Sequence, residues 1–127
     1  MTKISYVNGK YLSFKKANIS INDRSMHFSD AAYEVVAVYN SKLVFWLEHI
    51  NRLKKSLAML EIKNFDNIDN LIIKCNEIIE LNSLKFGLIY IHVSRGEATR
   101  NHNWDRHIKP SLVISAIHKD VFKKNKP

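Results

Sequence analysis

Arg100 and His102 stand two residues apart in a long polar segment, residues 95–109. In an extended backbone, side chains at that spacing point to the same side. A guanidinium offers a planar fork of hydrogen-bond donors and an imidazole beside it adds another, so the two together suit a carboxylate. The alternative is an exposed loop whose charged side chains face water. The spacing of the two residues leaves both interpretations open.

A second candidate anion ligand is Arg52, within the stretch EHINRL at residues 48–53. On a helix, Arg52 lies beside the apolar stripe, and from there it can reach over the edge of a sheet to an anion such as a phosphate. The alternative is a surface ion pair with Glu48, four residues earlier, which contributes only about 0.3–0.5 kcal/mol.

Tyr33 begins a run that is typical of a buried strand. Taken alone, it is interpreted as a core or interfacial tyrosine whose hydroxyl finds a local partner. None of the six histidines forms a closed metal-ligand spacing, and the sequence has no glycine-rich phosphate loop. We therefore assign neither a metal site nor a nucleophile from spacing.

The first elements that could position these residues are predicted by turn signals. Asn8-Gly9 accepts the positive φ angles of a tight turn and predicts a hairpin between residues 4–7 and 10–14. After the hairpin we expect a short extended piece at residues 18–21 and a polar turn at residues 22–25.

Four further strands are predicted by composition and alternation. Residues 33–39 are rich in β-branched and aromatic side chains, and Asn40-Ser41 predicts a second hairpin with residues 42–45. Residues 84–94 and 111–117 are the remaining predicted strands.

Between them, two segments change to a helical period, with apolar residues at three- and four-residue spacing. The first stripe consists of Leu47, Ile50, Leu53, Leu57 and Leu60, and the second of Ile68, Leu71, Ile72, Cys75, Ile78 and Ile79. Asp66 or Asn67 is expected to cap the second helix, and Asn82 to end it.

Strands and helices are segregated along the chain rather than alternating. That order predicts an α+β domain, a mainly antiparallel sheet with two helices packed on one face. On the strand at residues 84–94, the alternate residues Gly87, Ile89, Ile91 and Val93 are expected to face the helices. We place the domain at residues 1–118 and interpret residues 119–127 as a linker or tail.

Length and composition exclude several classes of protein. The chain has 127 residues, enough for one domain with a sizeable core. Its apolar runs fall short of a membrane helix and its first residues lack the apolar core of a secretion signal, so we expect a cytoplasmic protein without a membrane partner. Cys75 is the single cysteine, which excludes an internal disulfide.

The formal net charge of +8 raises the alternative of a small basic nucleic-acid-binding protein. Part of the excess comes from lysines near the C-terminus, at positions 119, 123, 124 and 126. The sequence shows neither a basic stripe interleaved with aromatic residues nor a common RNA- or DNA-binding motif. We keep this function as an alternative and expect no nucleic-acid partner.

Four segments resemble the class IV, pyridoxal-phosphate-dependent aminotransferases. They are residues 22–35 (NDRSMHFSDAAYEV), 38–40 (VYN), 48–53 (EHINRL) and 94–102 (SRGEATRNH). They occur in the family's order, with similar spacing, over nearly the whole chain. The Arg-Asn-His element resembles the D-amino acid (D-alanine) aminotransferase branch rather than the branched-chain aminotransferases or aminodeoxychorismate lyases. The resemblance implies the fold of the small N-terminal domain of those enzymes.

The resemblance also implies roles for the matching positions. Tyr33, Arg100 and His102 correspond to residues that hold the substrate α-carboxylate, the last two across the interface of a homodimer. Arg52 corresponds to the arginine that contacts the phosphate of the cofactor, pyridoxal 5′-phosphate. The implied substrates are D-amino acids and 2-oxo acids, as in the conversion of D-alanine and 2-oxoglutarate to pyruvate and D-glutamate.

The sequence departs from the family pattern chiefly in its length. Family members are more than twice as long, and their Schiff-base lysine lies in a second domain. We assign that role to none of the lysines from Lys109 to Lys126, so we expect no catalytic residue in this chain. Milder departures are Ser29, Ala31 and Ala32. Two hypotheses follow, an enzyme part that works with a separate C-terminal half or a non-catalytic remnant of such a gene.

Overall fold

The computed structural model describes residues 3–63, 65 and 68–122. The centre of the fold is a six-stranded antiparallel sheet with the spatial order β2-β1-β6-β5-β3-β4. The strands are β1 (Ile4–Val7), β2 (Lys10–Ser13), β3 (Ala31–Tyr39), β4 (Lys42–Leu43), β5 (Gly87–Ser94) and β6 (Ser111–His118). The helices are α1 (Arg24–Phe28), α2 (Trp46–Met59) and α3 (Leu71–Leu81).

The register of the central strands brings two segments with candidate site residues to one end of the sheet. Ser94, the last residue of β5, pairs with Ala31, the first residue of β3, and with Ser111, the first residue of β6. The chain before β3 and the polar segment between β5 and β6 therefore meet at the same edge.

Both predicted hairpins are present. In the first turn, Asn8 and Gly9 have φ angles of 47° and 94°, the left-handed geometry that joins twisted strands tightly. In the second, Asn40 and Ser41 have φ angles of 49° and 61°. Its outer strand β4 has only two residues, because Phe45 turns to a φ of 54° and becomes the N-cap of α2.

The segment before β3 differs from the prediction. The predicted turn at residues 22–25 opens into α1, while residues 18–21 lie outside the sheet. Asp23 caps this helix by accepting hydrogen bonds from the backbone nitrogen and the hydroxyl of Ser25, at 2.9 and 2.7 Å. A helix of five residues is little more than one turn, too short for hydrophobic periodicity to reveal.

Helix α2 buries Ile50, Leu53 and Leu57, as the periodicity predicts. Leu47, which we expected on the same stripe, is 69% exposed. Each residue of a helix turns by about 100°, which puts Leu47 about 120° from Leu53 and brings Trp46 much closer to it. Trp46 therefore packs against the core where Leu47 was expected.

Helix α3 forms the second part of the helical layer. Its buried residues are Leu71, Cys75, Ile78 and Ile79. Ile72 lies at the margin of the stripe with 36% of its surface exposed, and Ile68 belongs to a 3-10 turn ahead of the helix. The predicted caps Asp66 and Asn67 lie outside the described residues.

Asn82 ends α3, as predicted, and also ties the helix to the sheet. Its side-chain nitrogen donates to the carbonyl oxygens of Ile4 and Ile78, at 2.9 and 2.8 Å. Its side-chain oxygen accepts from the backbone nitrogen of Ile4 at 2.8 Å. Because the amide is fully hydrogen-bonded, its near-complete burial carries no desolvation penalty from unpaired polar atoms.

The helices α2 and α3 cover one face of the sheet, and the other face is open. The strands contribute to the core Tyr6, Ala32, Val36, Val38, Ile89, Ile91, Val93, Leu112, Ile114 and Ala116. On the opposite face, Tyr33, Val35, Tyr39 and Ile117 are exposed. The predicted α+β architecture is confirmed. Within the described ranges, no helix has the length and apolar character needed to cross a bilayer.

The two leucines of α2 give a test of this packing. Leu53 is fully buried, so Leu53→Ala should lower the free energy of unfolding by about 2–5 kcal/mol. Leu47→Ala on the same helix should change it by less than about 0.5 kcal/mol, since Leu47 is largely in water. Urea denaturation followed by circular dichroism measures both. Equal losses would show that the helix does not dock in this orientation.

Candidate functional site

Tyr33 lies on the open face of the sheet, 61% exposed. It is paired across the ladder with His92 of β5, and its ring packs against that of Tyr90 at a centroid distance of 5.7 Å. Within the described part of the chain, the Tyr33 hydroxyl makes no hydrogen bond. It is therefore available to a ligand that approaches this face.

Tyr90 and His92 form a polar pair next to Tyr33. The Tyr90 hydroxyl and His92 Nδ1 are 3.2 Å apart. Burial lowers the pKa of His92, against a weaker opposing effect of the Asp23 charge. Burial also raises the pKa of Tyr90, as does its proximity to Tyr33. Both groups are thus neutral near pH 7, and this part of the open face carries hydrogen-bonding groups without a net charge.

Arg52 is held by a carboxylate of the sheet rather than by the helical neighbour Glu48 considered from the sequence. Its Nε and Nη2 donate to Glu34 Oε2 and Oε1, at 2.9 and 2.7 Å. His49, one turn earlier on α2, places Nδ1 2.7 Å from the same Oε1. The Arg52 side chain is still 67% exposed, and its Nη1 has no partner in the described residues. One edge of the guanidinium is fixed while another faces solvent.

Glu34 is a buried carboxylate in an otherwise apolar row of β3. Burial disfavours its ionised form, but hydrogen bonds from Arg52 and His49, together with their charges, outweigh burial and hold the pKa of Glu34 below its usual value. The hydrogen bonds between Arg52 and Glu34, together with the Glu34 charge and a smaller effect of Tyr33, raise the pKa of Arg52. This pairing anchors α2 to β3 and orients Arg52.

Tyr33 and Arg52 are connected through adjacent residues of β3. Neighbouring residues of a strand point to opposite faces, so Tyr33 stands on the open face while Glu34 points toward the helices and binds Arg52. No hydrogen bond among the described residues joins the side chains of the two candidate residues. The charge of Tyr33 nevertheless contributes to the raised pKa of Arg52, so the two side chains lie close to one another.

Arg100 and His102 converge on Phe28, at the end of α1. The Arg100 guanidinium lies 5.1 Å from the centroid of the Phe28 ring, and the His102 ring lies 5.2 Å from it. The backbone here is bent rather than extended, and both side chains are exposed. Neither side chain has a hydrogen-bond acceptor among the described residues. A cationic fork and an imidazole therefore share one ring and are free to bind an anion.

A buried cluster of charges lies beneath this pair. Asp30 accepts from Arg24 Nε at 2.9 Å and from Arg95 Nε at 2.7 Å, and both arginines are 4% exposed. Burial would raise the pKa of Asp30, yet the hydrogen bonds and charges of Arg95 and Arg24 hold it below its ordinary value. The Arg95 guanidinium also lies 3.8 Å from the Trp104 ring centroid.

Three features of this region were not predicted from the sequence. They are the roles of Glu34, of Phe28 and of the cluster of Asp30, Arg24 and Arg95. Glu34 had a detectable signal, since an acidic residue on an inward position of an apolar strand requires a cationic partner. The other two depend on a short helix and an irregular loop, which lack periodicity.

The Glu34 pair predicts a pH-dependent part of stability. A carboxyl group whose pKa is lowered by folding stabilises the folded state at pH values above its pKa in the unfolded chain, which is near 4.5. This stabilisation is lost as the pH falls through the pKa that the group has in the folded protein. The melting temperature should therefore drop below about pH 4.5, and Glu34→Gln should remove part of that drop while costing about 1–3 kcal/mol at pH 7.

Asp69, which is 86% exposed in its pair with Lys54, provides the control. Asp69→Asn should leave both the stability at pH 7 and its acid slope nearly unchanged. Calorimetric melting from pH 3 to 7 measures all three proteins. An unchanged acid slope in Glu34→Gln would contradict a lowered pKa at Glu34.

Comparison with known proteins places this arrangement in a family. The family model for amino-transferase class IV matches residues 31–125. The D-alanine aminotransferase of Staphylococcus aureus (strain MSSA476) is 34% identical over 114 residues, covering 89% of this chain and 40% of the relative. That of Bacillus licheniformis is 32% identical over 106 residues, covering 84% of this chain and 38% of the relative.

Solved structures share the fold at lower identity. The branched-chain amino acid aminotransferase of Escherichia coli superposes with a TM-score of 0.85 and is 20% identical, over 92% of this chain and 41% of that one. The branched-chain aminotransferase of Thermoproteus uzoniensis, solved with norvaline, gives a TM-score of 0.79 at 16% identity, over 92% and 41%.

The chain spans about 40% of the length of the curated relatives it matches. Its fold is that of the matched part of the solved structures. The family model extends over β3, α2, α3, β5 and β6, which carry or flank all four candidate residues. The chain belongs to the class IV aminotransferases, a family of pyridoxal-phosphate-dependent enzymes.

Proposed function

We propose that this chain provides substrate-carboxylate and cofactor-phosphate contacts for a D-amino acid aminotransferase. The reaction proposed is the conversion of D-alanine and 2-oxoglutarate to pyruvate and D-glutamate. The relatives named D-alanine aminotransferase, at 32–34% identity, support this branch of the family. The residues that would perform the binding are Tyr33, Arg52, Arg100 and His102.

The observation that carries the proposal is the convergence of Arg100 and His102 on the Phe28 ring. Two exposed donors of this kind, without an acceptor in the described residues, match the two oxygens of a carboxylate. The aromatic ring beneath them limits the directions that the two side chains can take. A substrate held by its α-carboxylate is thereby oriented as well as bound.

Arg52 fits the phosphate of pyridoxal 5′-phosphate. Glu34 holds one edge of the guanidinium and leaves Nη1 exposed, so the group can bind a dianion without first being ordered. Glu34 also offsets part of the positive charge, which means that further phosphate donors must come from residues beyond Arg52. The donor chemistry and exposure of Arg52 therefore suit one contact of a larger phosphate site.

Bound pyridoxal 5′-phosphate supplies an electron sink for carbanion chemistry at the substrate Cα. Residues of this chain would bind and orient the substrate and the cofactor. Arg100 and His102 hold the carboxylate, the Tyr33 hydroxyl supplies another donor, and Arg52 fixes the phosphate. The lysine that binds the cofactor covalently would be contributed by residues other than these 127, so a separate C-terminal half is part of the proposal.

We further propose that two copies assemble as a homodimer, as the family resemblance implies. Tyr33 packs with Tyr90 on the open face, whereas Arg100 and His102 pack with Phe28 near the start of β3. No hydrogen bond in the described residues joins the two groups. A second copy that offers its own Arg100 and His102 to the first copy's Tyr33 would complete the carboxylate site.

The first test is complementation. The chain is co-expressed with the lysine-bearing C-terminal segment of a D-alanine aminotransferase, and formation of pyruvate from D-alanine and 2-oxoglutarate is measured. We expect activity above that of either part alone. Arg100→Lys keeps the charge but loses the planar fork, so it should raise KM for D-alanine by about tenfold or more.

The control in that experiment is Lys109→Arg, at an exposed position of the same loop but outside the proposed set. It should leave KM within about twofold of the unaltered chain. The proposal is rejected if the combined parts gain no activity. A KM that stays unchanged in Arg100→Lys would instead remove Arg100 from the carboxylate site.

The second test isolates the phosphate contact. Pyridoxine 5′-phosphate lacks the aldehyde that reacts with surface lysines, so its binding can be followed by NMR without covalent side reactions. We expect shifts around Arg52 that pyridoxine does not produce and that weaken at least about fivefold in Arg52→Gln. Lys55→Gln, at an exposed position of the same helix, should retain binding. Equal weakening in both variants would indicate nonspecific attraction to a basic surface.

A further inference from the structure

We propose that Arg24 is a positioning residue that fixes the backbone carrying Arg100 and His102. This inference rests on the proposed function of those two residues as a carboxylate site. Arg24 itself is too buried to touch a substrate, since only 4% of its side chain is exposed. Its role is to fix the backbone from which the side chains of Arg100 and His102 extend.

The guanidinium of Arg24 is divided between a carboxylate and two backbone carbonyls. Nε donates to Asp30 Oδ2 at 2.9 Å. Nη1 donates to the carbonyl oxygen of Asn101, and Nη2 donates to the carbonyl oxygen of His102 at 3.3 Å. The planar guanidinium of Arg24 thus holds the backbone just after Arg100, at Asn101 and His102. The fixed fork of an arginine can make these three contacts at once, and a lysine ammonium on a flexible stem cannot.

Asp30 keeps the guanidinium in place. It pairs with Arg95 as well as with Arg24, and Arg95 donates further to the carbonyl oxygens of Leu60 and Glu61. The loop that carries Arg100 is thereby connected to the C-terminal end of α2 and to the start of β3. Removing one member of such a buried cluster leaves an unpaired charge, so the cluster resists local rearrangement.

Phe28 completes the arrangement from the side of the exposed residues. Its ring lies 4.6 Å from the Arg24 guanidinium, and it also contacts Arg100 and His102. The ring is therefore in contact with the buried cation and with both exposed side chains. Arg24 fixes the position of the backbone, and Phe28 restricts the directions that the two side chains can take.

The test compares Arg24→Lys with Arg95→Lys in the 15N-labelled chain. Both variants keep a cation beside Asp30, but only Arg24 donates to the carbonyls of Asn101 and His102. Backbone order parameters of residues 100–103 should fall from about 0.85 to below about 0.6 in Arg24→Lys and stay near the original value in Arg95→Lys. Melting temperatures of the two variants show any general loss of stability.

The dependence on function is measured separately. In the complemented enzyme, Arg24→Lys should raise KM for D-alanine about tenfold with a smaller change in kcat. If complementation fails while the order parameters change as expected, the proposed function is wrong and the positioning role of Arg24 stands. Order parameters that remain unchanged in Arg24→Lys, or that fall equally in Arg95→Lys, overturn the positioning role.

A measurement on the unaltered protein covers the case in which Arg24→Lys does not fold. The Nη groups of Arg24 should give separate, slowly exchanging NMR signals, with couplings across the hydrogen bonds to the carbonyl carbons of Asn101 and His102. Averaged signals from a freely rotating guanidinium would overturn the inference directly.

Discussion

The two-residue alternation of β3 is the constraint on which the arrangement of functional groups depends. Because adjacent residues of a strand face opposite sides, Tyr33 must stand on the open face once Glu34 is turned under the helices. Glu34 in turn has to be paired, since an ionised carboxylate in an apolar layer is costly. Arg52 and His49 satisfy it from α2. A one-residue slip of β3 would exchange the two faces and lose both groups together.

Buried charge also organises the irregular part of the molecule. The loop between β5 and β6 has no periodic apolar side chains to pack. Hydrogen bonds from Arg24 hold its backbone at Asn101 and His102, and further along the loop the Trp104 ring packs on Arg95. Asp30 holds both arginines at the point where β3 begins. Burial of apolar surface therefore stabilises the regular elements, whereas hydrogen-bonded charges fix the position of the loop that carries Arg100 and His102.

The fold was largely predictable because its signals are local. Asn8-Gly9 predicts its turn through the positive φ that these residues tolerate, and the stripe of Ile50, Leu53 and Leu57 predicts α2 through a period of about 3.6. The site was predicted only as a set of residue types. That Arg52 pairs with Glu34, or that Arg100 and His102 share Phe28, depends on contacts between distant segments. Spacing along one segment does not encode such contacts.

The buried thiol of Cys75 does not react readily with alkylating reagents while the domain is folded. Burial raises the pKa of Cys75 to about 12, so the thiolate that reacts with alkylating reagents is nearly absent while α3 is docked. Since it is the single cysteine of the chain, any labelling must report a moment at which the helix has left the sheet. The rate at which Cys75 is modified therefore measures how often this domain opens.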